Sequence, residues 1–305
     1  MQLSLRDLEK GSPDVPSAVV LGGRNMLGQA LVSELLNRGW AVHTLERPLH
    51  DEVPTVFTPE ELTRRITELQ PAAVLNAEAW SNINEAEAEP DSAMAINSGL
   101  PAILGRIVRG MPNTWLVQYS TSYVFDGVKR SPYVETDAPN PLNVYGKTKL
   151  AGEQTLEKLD IPHCLILRVG WLFGPQRENL LSKLLQQAKE KGVLTMVHDV
   201  YGSPTYTCDL AVATMELLQR KATGLFHFAN TGQATICELT AETLRLGNRP
   251  MQVVGVSSAE KPQPARRPPY SVLSCEKYAQ TTGLTPRSWV QALREYVFSG
   301  FLDED

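Results

Sequence analysis

The sequence predicts an α/β fold: a doubly wound parallel sheet with helices on both faces and a smaller C-terminal cap. Short apolar runs alternate with helical patterns from Val19 to Val169, an order typical of a parallel sheet covered on both faces. A glycine-rich turn joins the first apolar run to the first helical pattern. The last third loses the alternation and is richer in proline, as in residues 261–264, and we expect it to form the cap.

Each element has its own signal in the chain. Apolar runs bounded by glycine, proline or polar residues predict the strands, and apolar residues three or four positions apart predict the helices. The strands are expected at 19–21, 41–45, 72–75, 115–117, 165–169 and 225–228. The helices are expected at 25–37, 59–69 and 84–108, the last of them kinked around 99–101.

Composition excludes several classes of function. The chain has 305 residues with a net charge of −5 and no basic run, so nucleic acid is not an expected partner. No apolar run has the roughly 18–20 residues that span a bilayer, and residues 1–18 mix both charge signs, unlike a secretory signal. The four cysteines are scattered, which favours a reduced, cytoplasmic setting and predicts no metal site.

The turn after the first predicted strand resembles a phosphate-binding loop. Residues Gly22–Gly28 read Gly-Gly-Arg-Asn-Met-Leu-Gly, and glycines between a strand and a helix let the backbone approach a pyrophosphate, as in Rossmann-type folds. Asn25 replaces a middle glycine, and asparagine tolerates left-handed backbone angles. An ordinary strand–turn–helix connection is the alternative interpretation. Glu46 suits a ribose 2′-hydroxyl and Arg47 suits a 2′-phosphate, so NADP and NAD both stay open.

Tyr145 and Lys149 form a Tyr-x-x-x-Lys pair on a predicted helix. Residues four apart share one helix face, so the ammonium lies near the phenol. We expect Lys149 to lower the pKa of Tyr145 and make it a proton donor or acceptor for a carbonyl/alcohol couple.

Together these motifs resemble those of the extended short-chain dehydrogenases/reductases, and among them the dTDP-4-dehydrorhamnose reductases. The resemblance runs from about Val19 to Val297. Its segments are 22–28, 76–79, 96–97, 120–127, 141–153, 202–206 and 265–273, of which the Arg-Arg-Pro segment in 265–273 is the most specific.

The resemblance implies a division of the chain and a role for each matching residue. Residues 1–17 would be an extension, 18–175 with 205–232 the dinucleotide-binding domain, and 176–204 with 233–305 the substrate-binding cap. The catalytic residues would be Thr121, Tyr145 and Lys149. The cofactor would contact Gly22, Asn25, Met26, Leu27, Gly28, Glu46, Arg47, Ala77, Glu78, Ala79, Ser120, Tyr145 and Lys149. A nucleotide sugar would contact Ser81, Ile83, Thr121, Tyr123, Trp171 and Arg267.

The sequence is compatible with three functions. The first is an NAD(P)H-dependent reductase of a nucleotide-linked 4-keto-6-deoxy sugar, acting as a possible homodimer. The second is a non-catalytic regulatory subunit like the β subunit of methionine adenosyltransferase, which the departures Asn25 and Glu78 favour. The third is a nucleotide-sugar epimerase or dehydratase, which the absence of a Thr-Asp-Glu motif at residues 121–123 disfavours.

Overall fold

A parallel sheet of six strands forms the centre of the computed structural model. The structure describes residues 15–47, 49–50, 53–54, 57–177, 179, 181–184, 192–249 and 251–299. Most of the predicted extension, part of the predicted cap segment 176–204 and the last six residues lie outside these ranges. The strands are β1 Ser17–Leu21, β2 Ala41–Leu45, β3 Leu49–His50, β4 Val53–Pro54, β5 Ala73–Asn76, β6 Trp115–Thr121, β7 Cys164–Val169, β8 Leu172–Phe173, β9 Val193–Val197, β10 Tyr201–Gly202, β11 Thr205–Tyr206, β12 Gly224–Phe228, β13 Ala234–Thr235 and β14 Gln252–Val256.

The order of the central strands creates a crevice at one end of the sheet. They lie side by side as β12-β7-β6-β5-β1-β2, and every neighbouring pair is parallel. The chain leaves β1 toward β2 on one side and reaches β5 on the other. Ligands bind at such a switch point, beyond the carboxyl ends of the strands. The predicted α/β fold class is confirmed.

Helices cover both faces of this sheet. They are α1 Met26–Asn37, α2 Pro59–Leu69, α3 Ile83–Ala88, α4 Pro90–Met94, α5 Leu100–Arg109, α6 Val144–Leu159, α7 Thr207–Gln219, α8 Ile236–Leu246, α9 Glu276–Thr282 and α10 Trp289–Phe298. Along β1, Val20 packs into the core beneath α1 and α7, whereas Val19 packs into the core beneath α2, α5 and α6. This alternation is what a strand buried on both faces requires.

The predicted helix over 84–108 is divided more than its pattern indicated. It begins as α3, stops at Glu89 and resumes at Pro90, the first residue of α4. A π-helical turn, Ala95–Gly99, then leads into α5. Pro90 has no N–H to continue the hydrogen bonds of α3, so the break falls there, ahead of the expected kink.

The C-terminal part has an apolar core of its own. Phe173, Tyr206 and Tyr296 pack together there with residues of α8, α10 and β9. Strand β12 and helix α7 instead belong to the central layer, because β12 pairs with β7 and α7 packs on α1. Within the described ranges, no helix is long and apolar enough to span a bilayer.

Candidate active site

A cavity of about 490 Å³ opens at the switch point, beyond the carboxyl ends of the central strands. Most of the residues predicted to contact a cofactor line it together, whereas Gly22 and Gly28 form the turn beneath. The lining includes the predicted residues Asn25, Met26, Leu27, Glu46, Arg47, Ala77, Glu78, Ala79, Ser81, Ser120, Tyr145 and Lys149.

Asn25 closes the glycine loop by capping helix α1. Its backbone is extended, with φ −79° and ψ 169°, so the left-handed conformation that the sequence suggested for it is wrong. The left-handed residue is Gly22, at φ +72°. The Asn25 side chain accepts a hydrogen bond from Gly28 N at 2.7 Å and donates to Ala77 O at 2.7 Å. It therefore ties the loop after β1 to the segment after β5.

Gly28 allows the loop and the helix to lie in direct contact. A Cβ atom at this position would lie 1.9 Å from Gly22 O and 2.8 Å from Gly23 Cα. The first residues of α1, Met26 and Leu27, line the cavity beside this closely packed turn, and the N-terminus of a helix attracts an anion. These residues fit the pyrophosphate of a dinucleotide.

Four charged residues meet near the glycine loop: Arg24 of the loop, Glu46 and Arg47 after β2, and Glu78 after β5. Glu46 Oε1 accepts a hydrogen bond from Arg24 N at 2.9 Å. Arg47 Nε lies 3.0 Å from Glu78 Oε2, with 20% and 10% of the two side chains exposed. Burial raises the pKa of Glu78, while Arg47 opposes that rise and Glu46 adds to it. Arg47 therefore counteracts the effect of burial on the Glu78 carboxyl group.

The start of α6 places Tyr145 at the cavity wall. Asn143 caps the helix by accepting from Gly146 N at 2.8 Å. Gly146 permits a close approach to the segment after β6, because a Cβ there would lie 2.2 Å from Tyr123 O. The Tyr145 hydroxyl is thereby brought to Thr121, with which it shares a hydrogen bond.

The electrostatics of Tyr145 differ from the prediction. Burial raises its pKa to about 12, with Thr121 opposing the rise and Tyr123 adding to it. Lys149 is not among the groups that shift this pKa, and its Nζ donates to Tyr119 O at 2.6 Å. Burial lowers the pKa of Lys149 to about 8, and the nearby charge of Glu153 opposes that decrease. Tyr145 is thus a protonated phenol at neutral pH.

A buried ion pair lies behind the two predicted catalytic side chains. Glu153, one turn after Lys149 on α6, contacts Arg168 of β7 through three N–O distances of 2.6, 3.0 and 3.2 Å. Ser120 also donates to Glu153. The predicted site residue Ser120 is therefore held by this pair.

The predicted substrate residues lie mostly outside the cavity lining. The rings of Tyr123 and Tyr145 meet edge to face at 6.3 Å. Burial raises the pKa of Tyr123, while the charge of Arg267 and a hydrogen bond with Trp171 oppose the rise. Arg267 donates to Asn84 Oδ1 at 3.0 Å. Of the two residues predicted near the start of α3, Ser81 lines the cavity; Ile83, the first residue of α3, is not in its lining.

Other lining residues were not assigned from the sequence. Tyr119, Val169 and Leu172 contribute carbonyl and apolar surface, and Arg24 and Arg177 contribute charge. Arg24 lies within the glycine loop that the sequence indicates, whereas no sequence motif predicts that Arg177 lines this cavity. Across the described residues, no three His, Cys, Asp or Glu side chains gather as a metal site, and the absence of a metal stays a prediction.

Comparison with known proteins agrees with this geometry. Residues 17–300 match the model of the RmlD substrate binding domain. The chain belongs to this family. It is 36% identical over 287 residues to a dTDP-4-dehydrorhamnose reductase of Streptomyces griseus, covering 92% of both chains. It is 35% identical to a dTDP-4-keto-6-deoxy-D-glucose reductase of Streptomyces niveus, covering 91% of this chain and 95% of the other.

Solved structures of dTDP-4-dehydrorhamnose reductases are also similar to this chain. A dTDP-4-dehydrorhamnose reductase of Clostridium acetobutylicum superposes with a TM-score of 0.85 at 31% identity, covering 92% of this chain and 98% of that one. The Bacillus anthracis reductase, solved in complex with NADP, superposes with a TM-score of 0.88 at 27% identity, covering 93% and 99%. Membership of the family and the Rossmann-type fold are therefore both confirmed.

Proposed function

We propose that this chain is an NAD(P)H-dependent reductase of a nucleotide-linked 4-keto-6-deoxy sugar, converting dTDP-4-dehydrorhamnose to dTDP-L-rhamnose. One observation carries the proposal. Tyr145, Lys149 and Ser120 line the same cavity as the glycine-loop residues that fit a dinucleotide. The names of the relatives at 35–36% identity support a reductase of this class.

The chain would hold the cofactor through its loop and the residues after β2 and β5. The N-terminus of α1 would face the pyrophosphate, and Glu46 and Arg47 would face the adenosine ribose. When bound, a nicotinamide cofactor supplies the hydride for the carbonyl carbon.

Tyr145 would donate the proton that the carbonyl oxygen requires. A phenol whose pKa is about 12 is protonated throughout the neutral range, which suits an acid in the direction of reduction. Thr121 shares the hydrogen bond of this hydroxyl and would orient the same oxygen. The developing negative charge on that oxygen is where these donors stabilise the transition state.

Lys149 would supply positive charge to the cavity that Tyr145 also lines. Its Nζ donates to Tyr119 O in this structure, and the ammonium has two further N–H donors for a ribose hydroxyl. Glu153 opposes the loss of that charge on burial. We expect the contribution of Lys149 to appear both in cofactor affinity and in turnover.

Replacement of Tyr145 by phenylalanine tests the proposal. The protein is mixed with NADH or NADPH and dTDP-4-dehydrorhamnose, and loss of the reduced nicotinamide absorbance is followed. Tyr145→Phe should lower kcat by about 10²–10⁴-fold while the dinucleotide Kd stays within about twofold, because the phenol acts on the substrate oxygen. Tyr278→Phe, whose ring packs on Phe228, is the matched control. More than a tenth of the activity left in Tyr145→Phe would contradict this role.

Arg267 is the proposed contact for the diphosphate of the substrate. It is half-buried and close to Tyr123, whereas the adjacent Arg266 is exposed and contributes its backbone carbonyl to Asn143. Losing one charge-assisted contact costs about 1.5–3 kcal/mol, or roughly tenfold or more in KM. Arg267→Ala should show that rise with an unchanged cofactor Kd, and Arg266→Ala should not. Equal KM values for the two variants would remove Arg267 from the substrate site.

Of the two sequence departures that favoured a non-catalytic regulatory subunit, Asn25 and Glu78, the first no longer does so. Asn25 was a departure that favoured a non-catalytic subunit, yet it forms an ordinary helix cap and keeps Gly28 against the loop. A wild-type protein that binds a dinucleotide but consumes none with the sugar nucleotide would favour that role instead.

A further inference from the structure

The end of the cavity beside β2 carries a charge arrangement that discriminates between dinucleotides. NADP differs from NAD by a phosphate on the 2′-oxygen of the adenosine ribose. That ribose lies beside the end of the second strand in dinucleotide-binding sheets of this kind. Gly22 N donates to Leu45 O at 2.9 Å, so the glycine loop directly adjoins the end of β2. Glu46 and Arg47 are the next two residues of the chain after Leu45.

Glu46 presents a carboxylate at this position. Its Oε1 accepts from Arg24 N at 2.9 Å, which fixes the side chain against the loop. A Cβ atom on Gly23 would lie 3.2 Å from the same oxygen. A carboxylate accepts hydrogen bonds from a ribose hydroxyl but repels a phosphate dianion.

Arg47 would offset that repulsion if its guanidinium were available. It is instead bound to Glu78 at 3.0 Å, in a pair whose side chains are mostly buried. Glu78 also lies close to the glycine loop, because its Oε1 is 3.0 Å from the position that a Cβ of Gly22 would take. The carboxylate after β5 therefore neutralises the cation after β2.

We propose that Glu78 sets the dinucleotide preference: by holding Arg47 it leaves Glu46 to receive a 2′-hydroxyl, and the site favours NADH over NADPH. This inference rests on the proposed function, since it requires that the cavity bind a dinucleotide. The exposed Arg24 side chain also lines the cavity, and it is retained in every variant below, so its contribution is common to all of them.

A double-mutant cycle tests the inference. The Kd values of NADH and NADPH are measured by isothermal titration calorimetry at pH 7.5 for the wild type, Glu78→Ala, Arg47→Ala and the double variant. We expect the wild type to bind NADH at least tenfold more tightly. Glu78→Ala should tighten NADPH binding by about tenfold, since a charge-assisted hydrogen bond to phosphate is worth that factor or more. The double variant should lose this gain, whereas Arg47→Ala alone should change NADPH binding by less than about threefold.

Two further variants keep the result interpretable. Glu68→Ala removes the same charge from an exposed pair with Arg64 on α2 and should leave the NADH/NADPH ratio unchanged. Glu78→Gln removes the charge without changing the size of the side chain, and it serves if Glu78→Ala does not fold. Equal wild-type affinities for the two dinucleotides, or a ratio unaffected by both Glu78 substitutions, would overturn the inference alone. A wild type that binds neither dinucleotide would overturn the proposed function.

Discussion

The buried pair of Arg168 and Glu153 offers a measurable test of how the central layer is stabilised. Arg168→Met removes the cation and leaves the Ser120 hydroxyl as the side-chain donor to the Glu153 carboxylate within the described part of the chain. Only 4% and 2% of the two side chains are exposed, so water cannot replace the lost partner. Removing one member of such a pair costs about 3–5 kcal/mol in the free energy of unfolding.

Urea denaturation followed by circular dichroism at pH 7 would measure this cost. Arg64→Met serves as the control, because it breaks a pair whose side chains are 63% and 61% exposed and should cost about 0–1 kcal/mol. The double variant Arg168→Met/Glu153→Leu should be more stable than Arg168→Met, since the Glu153 carboxylate that lost its arginine is no longer buried. A cost of less than about 1 kcal/mol for Arg168→Met, or a double variant less stable than Arg168→Met, would contradict a stabilising role for the pair.

Two further perturbations follow from the contacts of single residues. Gly28→Ala should destabilise the protein by about 1–3 kcal/mol and abolish dinucleotide binding in calorimetry, because the new Cβ would lie 1.9 Å from Gly22 O. Gly110→Ala, with its nearest neighbour at 3.4 Å, is the tolerated control. Burial and the charge of Arg168 lower the pKa of His227 from 6.5 to about 3, so the unfolded chain binds the extra proton between those values. The stability from neutral His227 is therefore fully present well above pH 6.5 and is reduced by roughly 3 kcal/mol when the pH falls to 4.5. His227→Gln should lack that part of the pH dependence in urea titrations; an equal loss in both proteins would contradict it.

The central layer was predictable because its signals are local. The strand patterns around Val19, Val74 and Leu167 are short apolar runs that read directly as buried strands, and each lies in the sheet as expected. The helix over 84–108 was not fully predictable. Its π-helical turn holds Asn97, which bonds to Trp80 N and O, and such contacts between distant segments leave no periodic signal.

In the candidate site, too, the features that depend on contacts between distant segments could not be predicted from the sequence. The motif residues Tyr145 and Lys149 do meet at one cavity, but the sign of the pKa shift of Tyr145 depends on burial by the surrounding chain. The pairing of Arg47 with Glu78 depends on the order of strands in the sheet, which brings the ends of β2 and β5 to the same crevice. Local sequence spacing carries no such information.

The return of the chain to the central layer has a consequence for dissection of the protein into fragments. Strand β12 completes the central sheet by pairing with β7, and helix α7 packs on α1, although both lie after Phe173 and Tyr206 of the second core in the chain. A fragment ending at residue 175 would leave β7 as an open, apolar edge and uncover the face of α1 on which Leu210 and Met215 pack. Exposed edges of this kind recruit other chains, so we expect such a fragment to aggregate on expression. Limited proteolysis between the two cores should likewise yield pieces that stay associated until denaturant is added.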